Sequence, residues 1–139
     1  MRVFRRDNTT GGLIPIQSGI EPGSWTYTGP LGLALSPDES LLAVTYDKAC
    51  TLAIFNRSRT DGKLTLQKAW CEQEDELKRR MLSTVEVAFS HDGMNIYVVA
   101  RQSPCALYTL RAKLGNWTLV SKVCTDEIAE LQESVKVVS

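Results

Sequence analysis

The sequence repeats itself with a period of a little over fifty residues, and this repeat limits the possible folds more than any other feature. Three segments share one pattern, an aromatic residue followed by a glycine and a second apolar residue: VFRRDNTTGGLIPIQ from Val3, IFNRSRTDGKLTLQK from Ile54 and LYTLRAKLGNWTLVS from Leu107. Phe4, Phe55 and Tyr108 occupy the same place in these segments, 51 and 53 residues apart. Such a period is typical of folds built from repeated supersecondary units.

A second element alternates with the first at the same period. LGLALSPDESLLAVT from Leu31 matches VEVAFSHDGMNIYVVA from Val85, and Ser36 and Ser90 stand 54 residues apart. Each copy is an apolar run, a turn and another apolar run, which is the pattern of a β-hairpin. The aspartate in each turn can accept hydrogen bonds from nearby backbone, and proline or glycine supplies the φ that the turn needs.

Each full repeat therefore predicts four short antiparallel strands. The predicted strands are 31–36, 41–46, 51–56 and 64–69 in one repeat, and 85–90, 95–100, 105–110 and 117–122 in the next. Four-stranded units at this period are typical of β-propeller blades. We expect an all-β fold of propeller blades with four antiparallel strands each, about two and a half blades in an incomplete ring. Since one blade cannot bury both of its faces alone, neighbouring blades must stack on it.

Residues 1–139 are expected to form a single partial propeller domain. Its predicted parts are the end of one blade at 1–17, a blade at 30–69, a blade at 84–122, and a linker with the first strand of a further blade at 123–139. Propellers normally have about four to eight blades. We therefore expect a fragment of a longer protein or a truncated chain, with a ring of several copies as the alternative. Open apolar faces would make the isolated chain self-associate.

The repeated segments resemble one group of propellers. SPDESLLAVTYDKACTLAIFNRSRTDGKLTLQ and SHDGMNIYVVARQSPCALYTLRAKLGNWTLV are similar to the repeats of lactonase-type seven-bladed propellers. That group includes 6-phosphogluconolactonase-like and muconate-cyclase-like proteins and the related YVTN-repeat surface proteins. The resemblance implies a propeller fold, whereas the activity stays open because YVTN-like units also occur in proteins that are not enzymes. WD-repeat propellers are the nearest alternative, but the Gly-His and Trp-Asp pairs are absent and the period is too long.

Composition excludes several classes of protein. The 16 Lys and Arg residues balance the 16 Asp and Glu residues, which argues against an extended basic surface for nucleic acid. No apolar run approaches the length of about 18 residues that a membrane span needs. The first ten residues have no apolar core, so we do not expect them to act as a signal peptide. We expect a cytoplasmic protein by default, and a secreted one if a signal peptide precedes this sequence.

The cysteines do not form a metal-binding pattern. Cys50, Cys71, Cys105 and Cys124 are far apart, none belongs to a CxxC pair, and His91 is the only histidine. A structural zinc site needs closely spaced pairs, so we expect no metal, and nothing in the sequence indicates a cofactor. Four cysteines allow three disulfide pairings, among which the sequence does not choose. We expect instead that the cysteines are small apolar residues of the core.

Candidate ligand-binding residues lie where a propeller has its central channel. The first strand of each blade lines that channel, and Gly32, Glu86 and Lys136 occupy the same place in consecutive first strands. Glu86 and Lys136 could bind a ligand carboxylate or a water, or form a structural ion pair. Asp47 and Arg101 are further candidates because they lie in loops on the same face. The sequence assigns no catalytic residue beyond Glu86, which is the single candidate.

Two functions from different classes are compatible with these residues. One is a binding or scaffold module that presents its loop-rich face, above all the charged segment 70–83, to a protein partner or to other propeller blades. The alternative is a lactonase-like hydrolase that acts on a sugar or aromatic lactone. Segments 70–83 and 125–133 interrupt the strand pattern, and each is expected to be a solvated loop or to contain a short helical turn.

Overall fold

Residues 1–20, 29–46, 50–71, 84–100 and 106–124 are described by a computed structural model of the chain. The regular structure in these ranges consists of ten strands: β1 (Val3–Arg6), β2 (Leu13–Gln17), β3 (Pro30–Leu35), β4 (Leu41–Tyr46), β5 (Cys50–Arg57), β6 (Leu64–Cys71), β7 (Thr84–Phe89), β8 (Asn95–Ala100), β9 (Ala106–Lys113) and β10 (Asn116–Cys124). The predicted all-β class is confirmed. No helix in the described ranges is long and apolar enough to cross a membrane.

The strands form three antiparallel sheets, named here by their order in the chain. The half blade contains β1 and β2, the first blade contains β3 to β6, and the second blade contains β7 to β10. Within each four-stranded sheet the strands lie side by side in chain order. Their bounds follow the predicted ones closely, since 41–46 is observed as Leu41–Tyr46 and 51–56 as Cys50–Arg57.

The first strand pair has the same register in both blades. The Cα partners are Pro30–Tyr46 and Leu33–Val44 in the first blade, and Thr84–Ala100 and Val87–Val98 in the second. In both blades the register shifts between these two pairs. Residues 54 positions apart in the sequence therefore occupy equivalent backbone positions in the two blades. The register shift also lies at the same place in both.

The turns between the first two strands of each blade are closed by serine and aspartate. The Ser36 hydroxyl donates to Asp38 Oδ1 (2.6 Å) and accepts the N–H of Leu41 (2.9 Å). Ser90 donates to Asp92 in the same way in the second blade. The serine hydroxyls are the main reason why the pKa of each aspartate lies below its usual range. Both carboxylates are therefore charged at neutral pH and accept the hydrogen bonds that close the turns.

Two apolar cores hold the three sheets together. The core between the first and second blades contains Ala43, Leu52, Ile54 and Trp70 from one side, and Val87, Ile96, Val98, Ala100, Ala106, Tyr108, Leu110 and Trp117 from the other. The core between the half blade and the first blade contains Ile20, Leu42, Val44, Tyr46, Ala53, Phe55 and Leu64. Because successive side chains of a strand point to opposite faces, β4 and β5 of the first blade contribute to both cores.

The first strands of the two blades approach closely at Gly32. A Cβ added to Gly32 would lie 2.8 Å from the carbonyl oxygen of Val85 and 3.2 Å from Glu86 Cα. The Gly32 N–H donates to Thr45 Oγ1 at 2.9 Å, which satisfies the buried backbone beside this contact. A larger residue at position 32 would push the blades apart.

Candidate functional site

Glu86 lies on β7, the first strand of the second blade, which packs against β3 and β4 of the first blade. Its side chain is exposed, whereas Val85 is half-buried and Val87 is buried. The Glu86 backbone pairs with Val99 on β8. The structure therefore places an exposed carboxylate on a strand whose other residues, apart from Thr84, are apolar, and this strand is the sheet edge that lines the channel in a propeller.

The other predicted ligand residues cannot be placed beside Glu86. Lys136, Asp47 and Arg101 lie outside the described residues. The predicted pair between Glu86 and Lys136 and the two loop ligands therefore stay predictions.

Most of the loop-rich face also lies outside the described residues. Trp70 is buried on β6, but 72–83 and 125–133 are not described. The predicted loops or helical turns in these segments stay predictions as well.

The described residues contain no group of three or more side chains of the types that bind metals. His91 is exposed in the turn between β7 and β8. The register of β5 and β6 makes Cys50 and Cys71 Cα partners, and one of the three possible pairing schemes of the four cysteines joins these two residues. Cys105 lies outside the described residues, and Cys124 ends β10.

A cavity that the sequence analysis missed lies between the half blade and the first blade. Its volume is about 440 Å³. Residues of β1, of β2, of the end of β5 and of the turn between β5 and β6 form its walls, among them Phe4, Arg5, Arg6, Ile16, Arg57 and Arg59. It lies at the end of the sheets where the β1–β2 and β5–β6 turns are.

Side-chain contacts to the backbone hold the half blade beside this turn. Gln17 Nε2 donates to the Leu64 carbonyl oxygen at 2.8 Å, and Gln17 Oε1 accepts the Leu64 N–H at 2.7 Å. Gly62 has a φ of 75°, and a Cβ added there would lie 3.4 Å from Ile16 Cδ1. The left-handed backbone at Gly62 and its small size together allow the turn to approach β2.

Two of the arginines in this cavity are held by acidic residues of the turn between β3 and β4. Arg57 Nη1 lies 3.2 Å from Glu39 Oε2, and Arg59 Nη2 lies 3.1 Å from Asp38 Oδ2. One sequence signal could have indicated the cavity: Arg6 and Arg57 occupy equivalent places when Phe4 and Phe55 are aligned. Stacking of neighbouring blades brings such equivalent places near each other.

Among the solved structures that are similar to this chain, the following three carry gluconolactonase names. A proposed 6-phosphogluconolactonase from Bacteroides fragilis has a TM-score of 0.66 at 18% identity, over 88% of this chain and 33% of that chain. A second one, from Bacteroides uniformis, has a TM-score of 0.67 at 17% identity, over 87% and 34%. The periplasmic gluconolactonase PpgL of Pseudomonas aeruginosa has a TM-score of 0.68 at 21% identity, over 88% and 33%.

These similarities confirm the predicted fold. The chain has the fold of part of a lactonase-type β-propeller, and it spans about a third of the length of the solved structures that it matches. No family model matches the sequence. No curated protein matches it either.

Proposed function

We propose that the chain forms part of a lactonase-type propeller that hydrolyses a sugar lactone. The observation that supports this proposal most directly is the shared fold of three structures named for gluconolactone chemistry. Because these similarities lie between 17% and 21% identity, they establish the fold, and the substrate class is the proposed part.

Glu86 is the described side chain best placed for this chemistry. Lactone hydrolysis needs a base that takes a proton from water while the water oxygen attacks the carbonyl carbon. The ring C–O bond then breaks, and the ring oxygen leaves as an alkoxide that takes up a proton. Glu86 is exposed on the first strand of its blade, the strand that lines the central channel in a propeller. Its carboxylate would accept the water proton, and this proposal therefore gives Glu86 the role of general base.

Hydrolysis of a lactone panel tests the proposal. The panel contains a δ-lactone of a sugar acid, its 6-phosphate and an aromatic lactone, and the protein is used in its longest natural form. Acid release is followed in a pH-stat. If Glu86 is the general base, Glu86→Gln lowers kcat by about 10²- to 10⁴-fold. Glu39→Gln is the matched control, because Glu39 is an exposed glutamate in a turn of the first blade.

Each result of this assay has a definite meaning. Turnover that falls in Glu86→Gln and persists in Glu39→Gln supports both the activity and the role of Glu86. Turnover that is equal in both variants supports the activity and contradicts the role of Glu86. A panel without turnover contradicts the lactonase proposal.

The binding-module interpretation favoured by the sequence depends on segment 70–83, most of which lies outside the described residues. The names of the similar structures favour the lactonase alternative. A pull-down in which 72–83 is replaced by a Gly/Ser linker separates the two functions. Loss of a partner with lactone turnover unchanged would support a binding role for the loop.

A further inference from the structure

The third strand of the first blade, β5, has two neighbouring apolar residues that are buried in different cores. Ile54 lies in the core shared with the second blade, and Phe55 lies in the core shared with the half blade. Successive side chains of a strand point to opposite faces of the sheet. One face of the first blade therefore packs against the blade that follows it in the chain, and its other face packs against the half blade that precedes it.

The face of the half blade that is opposite to the first blade contains Phe4. β1 and β2 pair with each other as β5 and β6 do: Phe4 is the Cα partner of Pro15 as Phe55 is of Leu66, and both registers shift just before the phenylalanine. Val3 packs against the core shared with the first blade, so the Phe4 side chain points away from that blade. All four residues of β1 border the cavity described above, so the strand meets the cavity along the edge that does not pair with β2.

Leu13 lies on the same face as Phe4, and these two residues define the outer face of the half blade. Leu13 takes the place of Leu64 in the repeat, just as Phe4 takes the place of Phe55. Phe55 and Leu64 are 0% and 6% exposed because the half blade covers them. Phe4 and Leu13 are 45% and 67% exposed. The same two positions are therefore buried in the first blade and exposed in the half blade.

The second blade has an exposed face of the other kind, the one toward a following blade. Tyr97, Val99 and Leu107 define this open face, and they alternate along β8 and β9 with residues that are buried against the first blade. Val99 and Leu107 are Cα partners. Leu107 takes the place of Ile54, which the second blade covers in the first blade. In the part of the chain that the structure describes, no strand packs on Leu107 in this way.

We propose that copies of the 139-residue chain associate head to tail, with the outer face of the half blade in one copy packed on the open face of the second blade in the next copy. Both interfaces within the chain join one face of each kind, and the two exposed faces are also one of each kind. The contact between copies repeats the arrangement in which the second blade packs on the first. It does not depend on the proposed lactonase activity.

The form of this contact determines how the assembly grows. A head-to-tail contact uses different surfaces on the two copies, so a dimer keeps one exposed face of each kind and further copies can add. The half blade has two strands and the second blade has four, so the contact covers only part of the open face. Because the buried area is small, we expect dissociation constants in the micromolar range or above.

Sedimentation velocity with two charge variants tests the proposal. Phe4→Lys places a charge on the outer face, and Val99→Lys places one on the open face. Each variant keeps one face intact, so each should sediment as a monomer at micromolar concentrations at which the wild-type chain forms dimers and larger species. An equimolar mixture should form a dimer with one copy of each variant that does not grow, because only one pair of intact faces can meet.

Three further variants serve as repeats and as the control. Leu13→Lys and Tyr97→Lys place the same charge elsewhere on the outer face and on the open face, and a mixture of these two should also form a dimer. Leu114→Lys is the matched control, because Leu114 is an exposed hairpin residue outside both faces. It should associate like the wild-type chain. Circular dichroism verifies that each variant keeps its fold, and the second variant on a face replaces the first if that one unfolds.

The other outcomes would overturn the proposal. A mixture that stays monomeric would contradict a head-to-tail contact. Self-association of Phe4→Lys or Val99→Lys at wild-type strength would mean that two like faces meet. A monomeric wild-type chain would mean that no second copy occupies the open face, as expected if residues 125–139 cover it. Aggregates of the same size in every sample, mixed or not, would mean non-specific association.

Discussion

The first and second blades have similar sequences and strand order, yet their second strands differ in burial. In β4 of the first blade, residues 42–46 are all buried. In β8 of the second blade, buried and exposed residues alternate, and Tyr97 and Val99 are 37% and 40% exposed. The first blade packs between the half blade and the second blade, whereas the described residues cover only one face of the second blade.

The comparison shows that each blade has apolar residues on both of its faces. A face is buried only where a neighbouring blade packs against it. Tyr97, Val99 and Leu107 form the open face of the second blade, because Val99 pairs with Leu107 and Tyr97 lies two residues before Val99. β3 has a further exposed apolar row, in which Leu33 is 62% exposed. Exposed apolar surface of this kind marks a place for association.

The largest expected effect concerns the open face as a whole. The 139-residue chain by itself should self-associate, since several hundred Å² of open apolar surface at about 25 cal/mol per Å² represents on the order of ten kcal/mol. Light scattering combined with chemical denaturation measures this. Val99→Lys should lower the apparent mass, whereas Leu114→Lys, at an exposed hairpin residue, should not. A monodisperse wild-type monomer with a cooperative transition would contradict the prediction.

A smaller effect compares two residues at equivalent positions, one in the core between the blades and one on the open face. Ile54 and Leu107 begin matching segments 53 residues apart, but Ile54 is fully buried against the second blade and Leu107 is half-buried on the open face. Ile54→Ala should lower the free energy of unfolding by about 2–5 kcal/mol, because it leaves a cavity. Leu107→Ala should cost about 1 kcal/mol in the dissociated chain, since less surface leaves water there. Urea denaturation at low protein concentration measures both, and equal losses would mean that the open face is covered.

Because β3 and β7 approach closely at Gly32, we expect substitution of Gly32 and of Gly29 to change the stability by different amounts. Gly32→Ala should destabilise the chain by about 1–3 kcal/mol, because the new Cβ would lie against the Val85 carbonyl oxygen and the blades must shift. Gly29→Ala is the control, since nothing lies within 4 Å of a Cβ there. It should be neutral or stabilise slightly by reducing the entropy of the unfolded chain. Similar melting temperatures for the two variants would contradict the proposed close approach.

The smallest effect concerns the turns, where the blades use different residues at one position. Glu39 has a φ of 59° in the first blade, and Gly93 has a φ of 71° in the second. Glu39→Gly should stabilise the chain by up to about 1 kcal/mol through relief of strain, reduced by loss of the exposed pair with Arg57. Gly93→Ala should destabilise it by a similar amount. If both variants change thermal stability in the same direction, the left-handed backbone is not the cause.

Strands and turns could be predicted from the sequence because they depend on neighbours within one hairpin. The alternating pattern of NIYVVA and the turn residues SHDG predict the hairpin of β7 and β8. The observed strands, Thr84–Phe89 and Asn95–Ala100, lie close to the predicted 85–90 and 95–100. The exposed position of Glu86 on a first strand could be predicted in the same way, since it interrupts an apolar alternation.

The arginine cavity could not be predicted in this way. Arg5 and Arg57 lie 52 residues apart, and each belongs to a hairpin where an exposed charge is ordinarily solvated. Only the stacking of the half blade on the first blade, held by Gln17 and Leu64, places them around one space. The net charge around a site depends on every charged group within a few ångströms, and tertiary contacts determine which groups lie that close.

By itself, the sequence determined the elements of this protein: the period, the four strands of a blade, and turns closed by Ser36 and Asp38. Backbone hydrogen bonding and φ preferences act over a few residues, so a short segment contains what they need. The tertiary structure alone decided that β4 is buried on both faces, that Gly32 needs to be small, and that a basic cavity exists. How deeply a residue is buried, and how far its charge is balanced, depend on contacts with residues from distant parts of the sequence. Only the packing of the blades brings those residues together.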